Sequence, residues 1–435
     1  MTSELALLDE VGTSYPGIEP RLVGVASEGL ESYLERGGYR PLADAATLLD
    51  EIGKAGLRGR GGAAFPTARK LQTLREAGAS AYIVANGEEG EPTSAKDRWL
   101  LRNRPHLVLD GLRLAAAVVG TSDAAVYISD ERAEASISRA LAAATDAGLI
   151  AFHVRVHRVA PAYVAGEETA VVRALNGGPA LPTDKPPRPF EEGVDLRPTL
   201  VSNVETLANL PAVQRLGAAA YRAVGTERSP GTFLLTLTGL TRAGLYEVPF
   251  GTSLREVLAW TGDDPAAVRG FLMGGYFAGV IGPQALDVPL DYDEIAAWGS
   301  GLGCGAVVAL GDTRCPVDVT AAVMGYFDRE NAGQCGSCFN GTAAMGAVLA
   351  ALRDGQAEES DVERLRAWSV NLRGRGACGT LDGATNVAAS LLRDFPDEVR
   401  THLHGHCEVC AERERLHGAP FAVTIDEAVA SPQGM

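Results

Sequence analysis

Between residues 42 and 207 the chain alternates helical periodicity with short apolar runs, and this alternation constrains its fold more than any other feature. Leu42, Ala45, Leu48, Leu49 and Ile52 recur at the spacing of one helix face, so residues 42–55 read as an amphipathic helix. Residues 67–77, 106–120 and 131–147 read as helices in the same way. The runs 81–85 (AYIVA), 125–129 and 152–159 are too short for helices and read as buried strands. Strands separated by helices pair in parallel, so an α/β layer is expected. Residues 177–198 hold six of the 23 prolines and read as an extended loop, after which 203–207 opens another helix. The texture changes at residue 231. Residues 232–238 (TFLLTLT) alternate, 244–249 follow as a second strand, and 252–256 start a helix, which is the opening of a small β-grasp unit. From about 321 to 394 the pattern is helical, with glycine-rich breaks at the cysteines, whereas residues 1–40 and those after 417 carry little pattern.

Charge excludes one class of function. Lys+Arg number 39 against 55 Asp+Glu, a net charge of -16, so the cationic footprint of a nucleic-acid binder is missing. The first twenty residues lack the basic start and apolar run of an export signal, and the apolar stretches are broken well short of a bilayer span. A cytoplasmic protein without direct membrane insertion is expected. The seven cysteines are an odd number, which argues against a paired disulfide framework. Five of them (Cys335, Cys338, Cys378, Cys407, Cys410) fall in the last quarter, as ligands would.

Five segments carry chemistry. GLRGRGG (56–62), flanked by helices, can bring backbone N–H groups and a helix N-terminus to a phosphate, with Arg58, Arg60 and Lys70 adding charge. It is not the GxGxxG dinucleotide fingerprint, and a plain glycine-rich turn would read the same. Asn86, Glu88, Glu89, Glu91, Lys96 and Asp97 follow a strand end, where ligands sit in α/β sheets; alone they also read as a solvated acidic loop. Gly166-Glu167-Glu168-Thr169 precedes a helix, so its carboxylates either stabilise that N-terminus or form a charged wall beside a cofactor. Cys335 and Cys338 form a C-x-x-C pair with Cys378 forty residues on, a set suited to iron–sulfur or zinc but one thiolate short of four. His402, His404, His406, Cys407 and Cys410 make a second half-site, able to bind a small metal or to lend a ligand to the first.

Taken together and in order, GLRGRGGAAFPTARK, NGEEGEPTSAKDR, YVAGEETA, KPP, SNVETLANLPAV and the late cysteines resemble the FMN-carrying flavoprotein component of respiratory complex I and the related diaphorase components of NAD-linked hydrogenases and formate dehydrogenases. The resemblance spans about residues 42–400. It implies an α/β multidomain chain. An N-terminal leader (1–40) precedes a Rossmann-like FMN/NAD(P)H domain (41–225), a ubiquitin-like β-grasp domain (226–312), a helical iron–sulfur domain (313–412) and a tail (413–435). By the same resemblance Gly59, Arg60, Gly61 and Lys70 would cradle the FMN phosphate, and Asn86, Glu88 and Glu89 would lie along the flavin. Tyr163, Gly166, Glu167 and Glu168 would line its hydride-accepting side, the two carboxylates lowering its potential, with Ser202 and Asn203 near the FMN. Phe65 would stack on the nicotinamide nucleotide, and Glu91 and Lys185 would contact it. Cys335, Cys338 and Cys378 would hold a [4Fe-4S] cluster.

Three departures stand out against the family pattern. Ala332 occupies the position of the first cluster cysteine, so the fourth ligand must come from elsewhere, with Cys304, Cys315, Cys407 and Cys410 as candidates, or the fourth iron is solvent-bound or lost. Arg188 and Thr73 stand where aromatic residues are usual, with Phe190 a candidate compensation, and Arg188 leaves NADH and NADPH both open. Ala165 replaces a cysteine. The expected function is that of an NAD(P)H dehydrogenase subunit. It would move a hydride to FMN, then single electrons through the cluster to a ferredoxin or a thioredoxin-fold iron–sulfur partner. The alternatives are a scaffold without a cluster, and a flavoprotein with zinc held by Cys335, Cys338, Cys378 and a tail ligand.

Overall fold

The computed structural model describes residues 6–8, 10–24, 27–77, 80–239, 241–405, 407–412 and 414–425. His406 lies outside them. Helix Ala45–Ala55 starts where the Asp44 carboxylate accepts the Thr47 N–H, and it ends at Gly56 in the left-handed region (φ 69°). The glycine loop follows, and helix Thr67–Ala77 leaves from its far side. The loop is pinched shut by pairing of Arg58 with Pro66, and Gly62 at its tip adopts φ 107°.

The first sheet is wholly parallel, in the order His153–Arg158, Asp123–Ile128, Tyr82–Asn86, Thr199–Asn203. Successive strands step outward from Tyr82–Asn86 in one direction, and the fourth returns to its other side. The order therefore reverses between Tyr82–Asn86 and Thr199–Asn203, which opens a crevice at their C-terminal ends. Helix Pro105–Val119, with proline at its first turn, is buried on nearly every face and anchors the core beneath this sheet.

The second sheet has the order Val280–Ile281, Val268–Met273, Ala306–Gly311, Thr232–Thr238, Gly244–Pro249, Glu10–Ser14. Thr232–Thr238 and Gly244–Pro249 pair antiparallel, and helix Leu254–Thr261, closed by a Ser253/Glu256 capping box, follows them. Six helices follow among the described residues, Pro316–Glu330, Gly336–Arg353, Glu359–Asn371, Thr380–Asp394, Pro396–His404 and Glu408–Glu412, and the short strand Val423–Thr424 then pairs in parallel with Ala6–Leu7.

Several elements depart from the sequence reading, among them helix Leu30–Glu35 in the segment expected to carry little pattern. Residues 10–14, taken for a patternless leader, form an edge strand parallel to Gly244–Pro249. Thr199–Asn203 is a strand that its short polar ending concealed. The acidic loop ends in a helix, Lys96–Asn103, whose first two residues are charged and buried. The alternating TFLLTLT is buried on both faces, because Thr232 donates to Glu247 and the Thr236 hydroxyl accepts the Ala95 N–H.

Candidate functional site

The expected FMN residues converge on the crevice between the two strands. Asn86 sits opposite Asn203, and Ala85 opposite Ser202. The Asn86 amide donates to the Gly166 carbonyl (2.8 Å), which ties the GEET loop across the crevice. Glycine gives close approach there: a Cβ at Gly166 would lie 2.6 Å from Glu88 Oε2 and 3.2 Å from the Glu88 carbonyl oxygen, and one at Gly61 would lie 3.1 Å from Asn203 Cβ.

Two groups in this crevice, one buried and one half-buried, lack adequate partners. Neither carboxylate oxygen of Glu88 has a partner in good hydrogen-bond geometry, and burial pushes this group up to about 8, with Glu89 and Asp97 adding to the rise and the nearby backbone N–H groups of Ala162 and Gly90 opposing it. The Lys70 ammonium reaches only the Val201 carbonyl at 3.4 Å, and burial holds its pKa down although Glu168 pulls the other way. Thr67 adds a buried, unpartnered hydroxyl in the first turn of the helix that leaves the glycine loop. A half-buried cation whose hydrogen bond goes to a single carbonyl, beside a helix N-terminus, fits a phosphate. A protonated buried carboxyl lacking an acceptor fits a polar ring edge. The residues present therefore fit FMN.

Other expected contacts are committed elsewhere. The Arg60 guanidinium turns inward, donating to the carbonyls of Arg58, Pro230 and Thr232 and lying 4.5 Å over the Phe250 ring, so it ties the glycine loop to the start of strand Thr232–Thr238. The Glu89 carboxylate accepts from Ser94, the N–H groups of Asp97 and Arg98, and the Arg98 guanidinium; it caps the Lys96–Asn103 helix. Glu91 accepts from Thr93 and from the Tyr276 N–H, and burial pushes it up to about 7. Glu167 caps helix Glu168–Leu175 through Thr169 and Ala170, and its other oxygen binds Lys185 Nζ at 2.7 Å. Lys185 also approaches Glu168 (3.5 Å), so Glu168 is the less engaged of the two carboxylates. Phe65 is 45% exposed at the glycine loop, its ring centroid 6.0 Å from Lys70 Nζ. Arg188 is exposed and its backbone N–H is held by Glu191; Phe190 and Thr73 are exposed too, and Thr73 donates back to Arg69.

Sequence reasoning missed the charge network under the crevice. Lys96 Nζ meets Asp97 (2.7 Å), Glu205 (3.0 Å) and the Asn203 side-chain oxygen (3.3 Å), and all three charged residues are almost wholly buried. Burial works against the Lys96 charge, but Asp97, Glu205 and Glu89 outweigh it and hold the ammonium above its ordinary range. The network grips Asn203 through its ammonium and through Asp97, to which Asn203 donates at 2.7 Å. The available signal was a Lys-Asp pair opening the otherwise apolar WLL face, and a lone Glu205 inside SNVETLANL.

Cys335 caps helix Gly336–Arg353, Cys338 lies in its first turn, and Cys378 lies just before helix Thr380–Asp394. The Ala377 N–H points at Cys335 Sγ (3.4 Å), and Cys378 Sγ is 3.3 Å from the Thr380 hydroxyl. Burial pushes the Cys338 thiol up to about 12, with Cys378 and Cys335 adding to the rise, so a metal would relieve the crowding. Of the four candidate fourth ligands, Cys315, Cys407 and Cys410 gather instead around His402, as a separate group. Among the described residues, the His402 group brings four ligand atoms within 4.8 Å of one another. The Tyr163 ring packs edge-on against Tyr326 and Phe327, at 5.7 and 5.3 Å.

Comparison with known proteins agrees with this geometry. Residues 52–212 match the Nuo51 FMN-binding domain, and residues 318–402 match the NADH-ubiquinone oxidoreductase-F iron-sulfur binding region. The second F-type component of the NADH-quinone oxidoreductase of Rhizobium meliloti is 36% identical over 396 residues, 86% of this chain and 94% of that protein. The HndC component of the NADP-reducing hydrogenase of Solidesulfovibrio fructosivorans is 32% identical over 397 residues, 86% of this chain and 81% of that protein. A crystal structure of an NAD+-reducing [NiFe]-hydrogenase in the H2-reduced state superposes with a TM-score of 0.78 at 30% identity, covering 88% of this chain and 68% of that one. No helix among the described residues is long and apolar enough to cross a membrane. The chain therefore belongs to the family of NADH-quinone oxidoreductase F-type components, as an NADH dehydrogenase-type subunit with an FMN-binding domain and an iron–sulfur-binding region.

Proposed function

We propose that the crevice residues hold FMN so that NADH reacts beside Glu168, and that electrons leave through Cys335, Cys338 and Cys378 to a partner protein. When bound, FMN supplies the chemistry that accepts a hydride and releases electrons singly. The single observation carrying this reading is the pair of under-partnered groups, half-buried Lys70 and buried Glu88, flanking the crevice where the strand order reverses. Lys70, Thr67 and the backbone at Gly59 and Gly61 would bind the phosphate. Glu88 would hold a proton on its carboxyl and donate it as a hydrogen bond. Asn86, Ser202 and Asn203 would orient the ring, and Gly166 would let the flavin approach the backbone. Glu167 keeps Lys185 in place, Phe65 offers a stacking face, and Arg188 is the exposed cation for the far end of the nucleotide. Tyr163 and Glu91 would close the wall towards the cluster.

The sheet orders favour the domain scheme inferred from sequence. The parallel sheet is Rossmann-like. In the second sheet the central strands Ala306–Gly311 and Thr232–Thr238 run parallel between antiparallel neighbours, as in a β-grasp. The relatives are named as components of larger oxidoreductases, so an electron-accepting partner is proposed; a ferredoxin or a thioredoxin-fold iron–sulfur protein fits by chemistry.

The test is FMN binding to the flavin-free chain. Lys70→Met should weaken FMN by about 10–100-fold, the worth of one charge-assisted hydrogen bond, and leave riboflavin binding unchanged. Equal losses for both flavins would refute a phosphate role for Lys70. At the cluster, Ala332→Cys supplies the missing thiolate in the half-buried loop before Cys335. We expect higher iron and sulfide content after anaerobic reconstitution, and severalfold slower bleaching in air. No change in either would mean the fourth iron already has a protein ligand.

A further inference from the structure

The second cysteine group is not explained by the flavin or by the cluster. Cys315 closes the turn before helix Pro316–Glu330, His402 lies in the last turn of Pro396–His404, and Cys407 and Cys410 flank the start of Glu408–Glu412. Cys315, Cys407 and Cys410 all fall outside the 318–402 match to the family's iron–sulfur region.

The geometry is that of ligands around one ion. Cys315 Sγ lies 3.3 Å from His402 Nε2 and 3.9 Å from Cys407 Sγ, while Cys410 Sγ lies 3.7 Å from His402 Nε2. All four ligand atoms lie within 4.8 Å of one another. With Zn–S near 2.3 Å and Zn–N near 2.0–2.1 Å, a tetrahedral site has edges of about 3.5–3.8 Å, which the observed separations straddle. A Cys315–Cys407 disulfide would need about 2.05 Å, far less than the 3.9 Å observed. His402 is prepared for a metal. It is 3% exposed, and its Nδ1 is 3.2 Å from the Arg353 carbonyl. That carbonyl can only accept, so Nδ1 carries the proton and Nε2 presents its lone pair to the thiols.

We propose that Cys315, His402, Cys407 and Cys410 bind one structural zinc ion, separate from the iron–sulfur cluster. Four protein ligands leave no open position, so the ion is structural and not catalytic. It joins the start of one long helix to two short terminal ones. Beyond it the chain returns to the flavin side: the Tyr276 hydroxyl donates to the Pro420 carbonyl, the Val423 N–H donates to the Pro92 carbonyl, and Arg98, which also holds Glu89, donates to the Val423 carbonyl. The zinc thereby anchors the segment that buttresses the acidic loop.

This inference is independent of the flavin assignment and is tested by elemental analysis of the full chain. We expect one zinc per chain. Cys407→Ser and Cys410→Ser should each lose at least about tenfold in zinc with iron and sulfide unchanged, and Cys338→Ala should do the reverse. If the serine variants fail to fold, the wild-type chain stripped of zinc is titrated with Co2+. Intense visible bands with thiolate charge transfer then support a tetrahedral sulfur-rich site, whereas weak octahedral absorption overturns it. Zinc absent from the purified chain, or iron in its place at these four residues, also overturns the proposal.

Discussion

Lys96→Met should destabilise the flavin-free chain by about 3–5 kcal/mol, the cost of removing one partner from a buried ion network. Lys96 is the ammonium in contact with both Asp97 and Glu205, and the nearest other cation to Glu205, Arg60, is 4.0 Å away. Methionine keeps much of the volume but leaves two carboxylates buried without their shared counter-charge. It also frees the Asn203 side chain, whose oxygen accepts from Lys96 and whose nitrogen donates to Asp97. Denaturant unfolding checks the energy, and FMN titration checks the coupling to the crevice. A loss under about 1 kcal/mol would mean that the carboxylates protonate at little cost, contrary to the network as drawn. The triple change Lys96→Met, Asp97→Asn, Glu205→Gln should recover part of the loss, because it removes the orphaned charges as well.

Glu88→Gln should stabilise the flavin-free chain in a strongly pH-dependent way. Glu88 ionises near 4.5 when unfolded, but in the folded chain burial keeps its proton to about pH 8. Between those limits the folded state holds a proton that the unfolded state has lost, so stability falls as pH rises, and it is level below and above. At about 1.4 kcal/mol for each pH unit, relaxed by some water penetration, the wild-type chain loses on the order of 3 kcal/mol across this window. Glutamine cannot ionise, so the variant should match wild type at acid pH and exceed it by that amount at alkaline pH. Unfolding midpoints of the two proteins at a series of pH values give the result directly. A stability difference that does not change with pH would show that Glu88 is ionised in the fold.

These two residues show where the sequence was legible and where it was not. Glu88 was singled out because it follows a strand end inside a recognisable ordered set of motifs. Nothing in its neighbours in sequence said that it would be buried and unpaired while the adjacent Glu89 would be wholly committed to capping a helix. The same split separates Lys70 from Arg60. Both are cations beside the glycine loop, yet one has a single weak contact while the other donates to carbonyls of a different sheet. Adjacent residues share a sequence motif but point to different surroundings, and the surroundings are supplied by residues far away in the chain.

The periodicity of apolar residues and the positions of Gly and Pro determined most local elements between residues 45 and 261, Lys96–Asn103 and Thr199–Asn203 excepted, because helix and strand periods and turn propensities are properties of neighbouring residues. The ordered motifs determined the family and the chemistry it serves. Only the tertiary structure decided that residues 10–14 complete a sheet begun more than two hundred residues later, and that Lys96, Asp97 and Glu205 share one buried network. Only it decided that Cys315 meets Cys407 and His402 rather than the cluster thiols. Each is a contact between segments distant in sequence, fixed by how the layers pack, and no local pattern of residues encodes it.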